Sequence, residues 1–346
     1  MKPNDEMVSP HNASFHLNNI GVLSLEAIEA PVVVPSSDFD DRLAHTYERL
    51  GMRLGLLENV AGIKERRWWP EGITFQEVAA QAGEAAIQKS GIDRSRIGLV
   101  IDTSVCRDRL EPSAAVTVHH LLGLPSSCLN FDLANACLGF LNAIQVAGSM
   151  IDAGTIEYAL IVDGEGSREV QENTLARLAG SDTTIDRLFE EFATLTLGSG
   201  AAAMVLGRAD ANPGSHVVRG GVARAATEHH DLFVGSLLRM RTDTAKLLDA
   251  GLELAEAAWA ECDPSWREMD WYIIHQVSEV HTNELCKRLG IDMEQAPLTF
   301  PHFGNIGPAS VPYTLAKTMP QIKPGERVLM LGIGSGINTS ALEIVW

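Results

Sequence analysis

Short apolar runs alternate with longer amphipathic or alanine-rich stretches along most of the chain. Residues 97–101 and 157–163 are typical of buried strands, and residues 138–152 read as a mostly apolar helix between two of the strand-like runs. This alternation predicts an α/β protein with a largely buried sheet. The other predicted elements are strands at 20–25, 128–133 and 201–206, and helices near 40–50 and 75–90.

The second half of the sequence resembles the first. Gly164 and Gly166 follow an apolar run and have counterparts in Gly334 and Gly336, 170 positions later. Residues 97–104 resemble residues 271–278 at an offset of 174, and the segment around Cys137 matches the segment 305–310 at a similar offset. Three matches in one order at nearly one offset predict a duplicated α/β unit.

The predicted organisation is therefore a polar tail followed by two related halves. We place the tail at residues 1–18, the N-terminal half at 19–208 and the C-terminal half at 209–346. The acidic stretch 172–191 is interpreted as an exposed helical insertion in the first half.

Composition narrows the class of function. Lys and Arg number 27 against 45 Asp and Glu, so the net charge of −18 argues against nucleic acid or an anionic membrane as the main partner. Without an apolar run of 18 residues or an apolar signal segment, we expect a cytoplasmic protein. The five cysteines include no CxxC pair, which favours reduced thiols and predicts no metal site.

Cys137 stands where a strand, a turn of small residues and an apolar helix meet. A helix N-terminus stabilises a thiolate and can donate a backbone N–H to an oxyanion, so Cys137 is the candidate nucleophile. The other cysteines lack this setting and are interpreted as structural; they are Cys106, Cys128, Cys262 and Cys286.

Two further polar residues occupy comparable positions in the second half. His275 closes the apolar run 271–274, at an edge where parallel sheets carry their active sites. Asn305 lies in a glycine-bounded turn that enters a helix and can present a side-chain N–H there. If the repeat is real, this helix corresponds to the helix after Cys137, and both N-termini face one cleft, beside the turn 334–336.

With Cys137, His275 and Asn305 in that order, nearly the whole chain resembles the thiolase-fold condensing enzymes of the ketosynthase III group. The resemblance implies a five-layered αβαβα fold and a Cys-His-Asn site. It also implies an oxyanion hole from the backbone N–H groups of Cys137 and Ser335. The segment 62–68 resembles the family's entrance for the coenzyme A or carrier-protein arm, which assigns Arg66, Arg67 and Trp68 to substrate binding.

Within that group the segments 103–113, 195–205 and 305–312 look most like the OleA-type enzymes. This resemblance places the family's extra glutamate at Glu111, which reaches the partner's active site in a homodimer and acts as a base. It implies a non-decarboxylative head-to-head Claisen condensation of two fatty acyl-CoAs through an acyl-cysteine. The resemblance also implies that this reaction is the first step of long-chain olefin or β-lactone biosynthesis. Downstream biosynthetic enzymes are then further partners of the protein, and no cofactor is needed besides the thioester substrates.

Other functions stay open at this level. The same Cys-His-Asn set serves a decarboxylative 3-oxoacyl-ACP synthase III that uses malonyl-ACP, and only Glu111 and the shape of the pocket separate the two reactions. A silent subunit of a heterodimeric enzyme is a second alternative, although such subunits tend to lose a catalytic residue. A dinucleotide site at residues 334–336 is a third, but the turn lacks a full glycine fingerprint.

Overall fold

The computed structural model describes residues 11–236 and 239–346. Thirteen strands and eleven α-helices are found in these residues. The strands are β1 Ala13–Glu29, β2 Val32–Pro35, β3 Glu65–Trp68, β4 Ile97–Asp102, β5 Leu129–Asp132, β6 Tyr158–Glu165, β7 Gly200–Arg208, β8 His216–Ala225, β9 Phe233–Gly235, β10 Met240–Thr242, β11 Trp271–Ile274, β12 Arg327–Gly334 and β13 Asn338–Val345. The helices are α1 Ser36–Leu50, α2 Leu56–Asn59, α3 Phe75–Ser90, α4 Ala114–Leu121, α5 Gly139–Asp152, α6 Arg168–Leu178, α7 Ile185–Leu195, α8 Thr244–Ala260, α9 Glu279–Leu289, α10 Phe300–Phe303 and α11 Ser310–Thr318.

Nine strands form one sheet whose order repeats across its middle. The order is β11-β12-β13-β8-β1-β7-β6-β4-β5. On one side β1 and β7 are antiparallel, β7 and β6 are antiparallel, and β6 and β4 are parallel. On the other side β8, β13, β12 and β11 follow with the same three orientations. The pairing of β1 with β8 joins the two units, so β4 corresponds to β11 and β6 to β12.

Alternating burial along the strands produces the layers. In β6, Ala159 and Ile161 face a central core with α5 and α11, whereas Leu160 and Val162 face a second core with α3 and α4. In β12, Val328 and Met330 also face the central core, and alternate residues face a third core with α8 and α9. The two halves of the nine-stranded sheet therefore enclose the central core as two layers, with helices between them and on both outer faces, and the predicted five-layered architecture is confirmed.

Local sequence signals explain where several of these elements begin and end. Thr74 and Glu77 form a capping box at the start of α3, and Gly91 ends that helix in the left-handed conformation. Every residue of β6 is buried, as expected of a central strand with a continuous apolar run.

Two expectations about the outer parts of the first half need correction. Residues 13–18 are not tail, because they form the start of β1, in which residues 13–16 pair with β8; residues 1–10 lie outside the described part. The acidic stretch 172–191 is helical, but α6 and α7 also bury Leu175, Leu178 and Leu188 in a core shared with α1. No helix in the described residues has the length and apolar character needed to cross a bilayer.

Candidate active site

Cys137 lies in a tight turn between β5 and α5. The Leu138 N–H donates to the Asn135 carbonyl at 2.9 Å, which closes the turn immediately before the helix. Ala136 has φ +45°, and within the described chain it is the one non-glycine residue in the left-handed region. Backbone strain of this kind collects at functional sites, because the surrounding fold holds it in place. The turn therefore fixes the cysteine at the boundary between strand and helix.

The thiol is protonated at neutral pH. Burial raises the pKa of Cys137 to about 12, and the nearby carboxyl groups of Glu165 and Asp163 raise it further. The expectation that the helix N-terminus favours the thiolate is therefore outweighed in the single chain. Nucleophilic attack by Cys137 needs a proton acceptor at the moment of reaction.

His275 follows the last residue of β11, as the sequence predicts. Its backbone N–H donates to the Leu331 carbonyl at 2.8 Å and extends the parallel pairing of β11 with β12. The side chain is buried, and this burial lowers the pKa of His275 to about 3, with a smaller contribution from His281. The imidazole is therefore neutral, so it can accept a proton at one ring nitrogen and donate a hydrogen bond from the other.

The backbone and side chain of Asn305 are both fixed by hydrogen bonds. Its N–H donates to the Thr196 carbonyl at 2.9 Å, and its own carbonyl accepts from the Gly198 N–H at 2.8 Å. The side-chain Oδ1 accepts from the Gly307 N–H at 3.0 Å and from the Ser310 hydroxyl at 3.3 Å. Because the oxygen is occupied by two donors, the amide NH₂ is the group that Asn305 offers to a substrate.

Close contacts bring the Cys137 turn of the first half beside the Ser335 turn of the second half. A Cβ on Gly334, at the end of β12, would lie 3.0 Å from the Asn135 carbonyl oxygen in the Cys137 turn. Asn338, just beyond the turn that contains Ser335, donates to the Asn135 side chain at 3.4 Å. The Ser335 turn and the Cys137 turn are thus neighbours. Their backbone roles as oxyanion donors remain predictions.

Glu165 is the site residue that sequence reasoning missed. It ends β6, it is 5% exposed, and its carboxylate accepts hydrogen bonds from the backbone N–H groups of Val105 at 2.5 Å and Cys106 at 3.4 Å. A Cβ on Gly307 would lie 3.3 Å from its carboxyl carbon, so it also borders the Asn305 turn. Burial raises the pKa values of Glu165 and its neighbour Asp163.

The sequence did hold a signal for Glu165. An acidic residue that ends an otherwise apolar, fully buried strand has to be stabilised by a specific partner or has to serve the chemistry there. In this fold it binds the start of the loop between β4 and α4.

Glu111 lies on that same loop, at the surface of the single chain. Glu111 is exposed, and its neighbour Leu110 is 91% exposed, one of the most accessible large apolar side chains in the molecule. The loop is anchored at its start by Glu165 and at its end by Asp132, which accepts from the backbone N–H groups of Ala114 and Ala115. The position of Glu111 fits a residue that acts outside its own chain, and that role stays a prediction.

The structure buries two of the three predicted substrate-entrance residues. Arg66 is fully buried, donates to the Leu195 carbonyl at 3.1 Å and the Ser36 hydroxyl at 3.1 Å, and stacks on the Phe39 ring. Trp68 is also buried, and its indole N–H donates to the Gln171 side chain at 2.6 Å. These two residues hold α1 and α6 in place and cannot contact a ligand at a surface.

Arg67, the third predicted entrance residue, is largely buried as well. Its guanidinium bonds Glu65 at 2.8 Å and lies 5.0 Å from the centre of the Phe303 ring. These contacts account for its position, and its assignment to coenzyme A binding stays an untested prediction.

The chain matches known protein families over both halves of this site. The family model of 3-oxoacyl-[acyl-carrier-protein] synthase III matches residues 131–220, which include Cys137 and Glu165. The model of the C-terminal part of the same family matches residues 260–346, which include His275 and Asn305. The fold is therefore that of a thiolase-fold condensing enzyme, as predicted.

Individual relatives identify the branch of this family to which the chain belongs. An acyl-CoA:acyl-CoA alkyltransferase from Xanthomonas campestris pv. campestris is 43% identical over 95% of this chain and 99% of its own. One from Shewanella oneidensis is 35% identical over 92% and 96%. The structure of a cysteine-to-serine variant of Xanthomonas campestris OleA with bound lauric acid and lauroyl-CoA has a TM-score of 0.93 and 42% identity, and covers 95% of this chain and 100% of that one. The chain belongs to the OleA-type acyl-CoA:acyl-CoA alkyltransferases of the 3-oxoacyl-ACP synthase III family.

Proposed function

We propose that this protein catalyses the non-decarboxylative head-to-head Claisen condensation of two fatty acyl-CoAs to a 2-alkyl-3-oxoalkanoic acid. The observation that carries the proposal is the similarity to acyl-CoA:acyl-CoA alkyltransferases over almost the full length of both chains. Relatives named β-ketoacyl-ACP synthase III are less similar, for example 33% identical over 80% of this chain for the Sodalis glossinidius enzyme. This difference favours acyl-CoA over malonyl-ACP as the second substrate.

The first half-reaction transfers an acyl group to Cys137. The sulfur attacks the thioester carbonyl carbon, the carbon–sulfur bond to coenzyme A breaks, and the thiol proton ends on the released coenzyme A. Because the buried thiol does not ionise by itself, its proton passes to the departing coenzyme A sulfur as the new carbon–sulfur bond forms. Backbone N–H groups of Cys137 and Ser335 would stabilise the transient oxyanion.

The second half-reaction needs a base, since an acyl-CoA cannot lose carbon dioxide as a malonyl thioester does. Glu111 of the partner chain takes the α-proton, and N–H groups of His275 and Asn305 stabilise the enolate oxygen. The enolate carbon attacks the acyl-Cys137 carbonyl, and the thiolate that leaves recovers the proton from Glu111. Hydrolysis of the product thioester then gives the acid and free coenzyme A.

We also propose the oligomeric state, the cellular location and the pathway of the enzyme. The exposed loop that carries Glu111 and Leu110 favours a homodimer in which each chain supplies a base to the other. We place the enzyme in the cytoplasm, at the first step of long-chain olefin or β-lactone formation, with downstream biosynthetic enzymes as further partners. The reaction as written uses coenzyme A thioesters as substrates and no cofactor.

The test is incubation of purified protein with lauroyl-CoA alone, followed by free coenzyme A release and mass spectrometry of the product. We expect a β-keto acid, or the ketone formed from it by loss of carbon dioxide. Glu111→Gln should release coenzyme A from the first acylation but lower condensation by about 10²-fold or more, as expected for loss of a general base.

Asp108→Asn provides a matched control, because Asp108 is an exposed acid on the same loop and should leave the rate unchanged. The proposal would be overturned if lauroyl-CoA alone gave no condensed product and a 3-oxoacyl product appeared once malonyl-ACP was added. A mixture of Glu111→Gln and Cys137→Ala chains should regain part of the activity, provided that the base acts between chains.

A further inference from the structure

A small cavity lies behind His275, on the side of the C-terminal sheet that packs against α8 and α9. Its volume is about 40 Å³, enough for a water molecule. The wall is mostly apolar, but it includes His275, His281, Thr339 and Ser340. Of the described residues that line it, the titratable ones are the two histidines and Cys262. The cavity therefore connects a predicted catalytic residue to a second histidine without an assigned role.

Both histidines leave a ring nitrogen without a partner. His281 is in the first turn of α9, where its backbone N–H donates to the Ser278 hydroxyl at 3.3 Å, and its side chain is 8% exposed. The Nδ1 atoms of His275 and His281 are buried, and neither has a hydrogen-bond partner in the part of the chain that is described. An unsatisfied buried polar atom costs about 1–3 kcal/mol, and both residues line this cavity, so a polar partner for each nitrogen is expected.

The protonation of the two histidine rings indicates which bridging group fits between them. Burial lowers the pKa of His275 to about 3 and that of His281 to about 4, so both rings are neutral and each carries a single N–H. A ring whose Nδ1 accepts a hydrogen bond carries its proton on Nε2. A water molecule has two hydrogens and can donate one to each Nδ1, and a cavity of this size holds a water where two to four polar groups such as these are available to it.

We propose that His281 is a positioning residue for His275: a water molecule held between their two Nδ1 atoms keeps the His275 proton on Nε2. In that tautomer the Nε2–H points away from the cavity and is the donor that the enolate oxygen requires. The catalytic part of this inference rests on the proposed function, but the water and the tautomer do not.

The first test reads the tautomer directly. Long-range ¹⁵N–¹H spectra of the ¹⁵N-histidine-labelled dimer, assigned by His275→Gln and His281→Gln, should show His275 with Nε2–H at neutral pH. His281→Leu should produce a mixture with Nδ1–H, whereas His281→Asn, which retains a polar group toward the cavity, should keep the wild-type tautomer. A crystal structure should show an ordered water within hydrogen-bonding distance of both Nδ1 atoms.

The second test separates positioning from folding. His281→Leu should lower condensation of lauroyl-CoA by about 10- to 100-fold, less than removal of a whole oxyanion donor, and should change the first acylation much less. His281→Asn should restore most of the rate, which a purely structural role would not predict. Cys262→Ala, on the wall of the same cavity, should leave both steps unchanged.

The proposal is overturned if the wild-type protein has His275 with Nδ1–H, or if His281→Leu leaves the tautomer unchanged. It is also overturned if His281→Asn is as impaired as His281→Leu while both stay folded. Because the spectra need no substrate, a protein with the expected tautomers but no condensing activity would refute the proposed function and leave the positioning role intact.

Discussion

The two halves of this molecule use the same strand order and end their corresponding strands with opposite chemistry. In the N-terminal half, β4 ends at Asp102 and β6 ends at Asp163 to Glu165, and burial raises the pKa values of these acids. In the C-terminal half, β11 is followed by neutral His275 and β12 ends at Gly334. A duplicated scaffold thus provides two equivalent edges, and the side chains at those edges have diverged.

This difference indicates that each half of the molecule has its own role in the reaction. The acidic edge holds Cys137 as a thiol and binds the loop that carries Glu111. The neutral edge offers hydrogen-bond donors without adding charge next to a developing enolate. Low polarity around those donors strengthens their interaction with an oxyanion. Variants in each half test this division of roles.

Cys137→Ala should abolish both coenzyme A release and condensation, a loss of at least about 10³-fold, because no other group can form the acyl-enzyme. Cys106→Ala is the matched control. Cys106 also lies beside Glu165, whose carboxylate accepts from its backbone N–H at 3.4 Å, and burial raises the pKa of Cys106 well above the usual value too. If Cys106→Ala were equally inactive, Cys137 could not be assigned as the single nucleophile of the N-terminal half.

Glu165→Gln should make Cys137 more reactive. Removal of the negative charge lowers the thiol pKa, and each unit gives about tenfold more thiolate. Glutamine still accepts from the Val105 and Cys106 N–H groups, so the loop should stay in place. The measurement is the rate of iodoacetamide alkylation at Cys137 between pH 7 and 9. An unchanged rate would show that Glu165 does not act on the thiol electrostatically.

The buried histidines of the C-terminal half should make folding sensitive to acid. Their folded pKa values, about 3 for His275 and about 4 for His281, lie below the ordinary 6.5, so the unfolded chain binds more protons. The free energy of unfolding should fall as pH decreases from about 6.5 toward 4, by up to about 1.4 kcal/mol per pH unit for each group.

Urea unfolding of wild type and His281→Asn across that pH range measures this effect. The variant should show a shallower fall. Equal slopes would mean that His281 titrates normally in the folded state.

The sequence predicts the fold and most of the site because both depend on local patterns. Strand ends beside helix starts mark Cys137 and His275, and the repeat offsets pair β4 with β11 and β6 with β12, as the sheet does. The burial of Arg66 and Trp68 could not be predicted, because a cluster of basic and aromatic residues looks the same in the sequence whether it is exposed or buried. Arg66 is buried only because carbonyl groups such as that of Leu195, far away in the chain, meet its guanidinium.

The pairing of β1 with β8 also limits how the enzyme can move. The seam runs from Ala13 opposite Ala223 to Val22 opposite His216, interrupted by one irregularity. A hinge between the halves would have to break these backbone hydrogen bonds, each with a net stability contribution of about 0.5–1.5 kcal/mol. We therefore expect long acyl chains to enter and leave through motions of loops and side chains, with little change in the distance between the two strand edges.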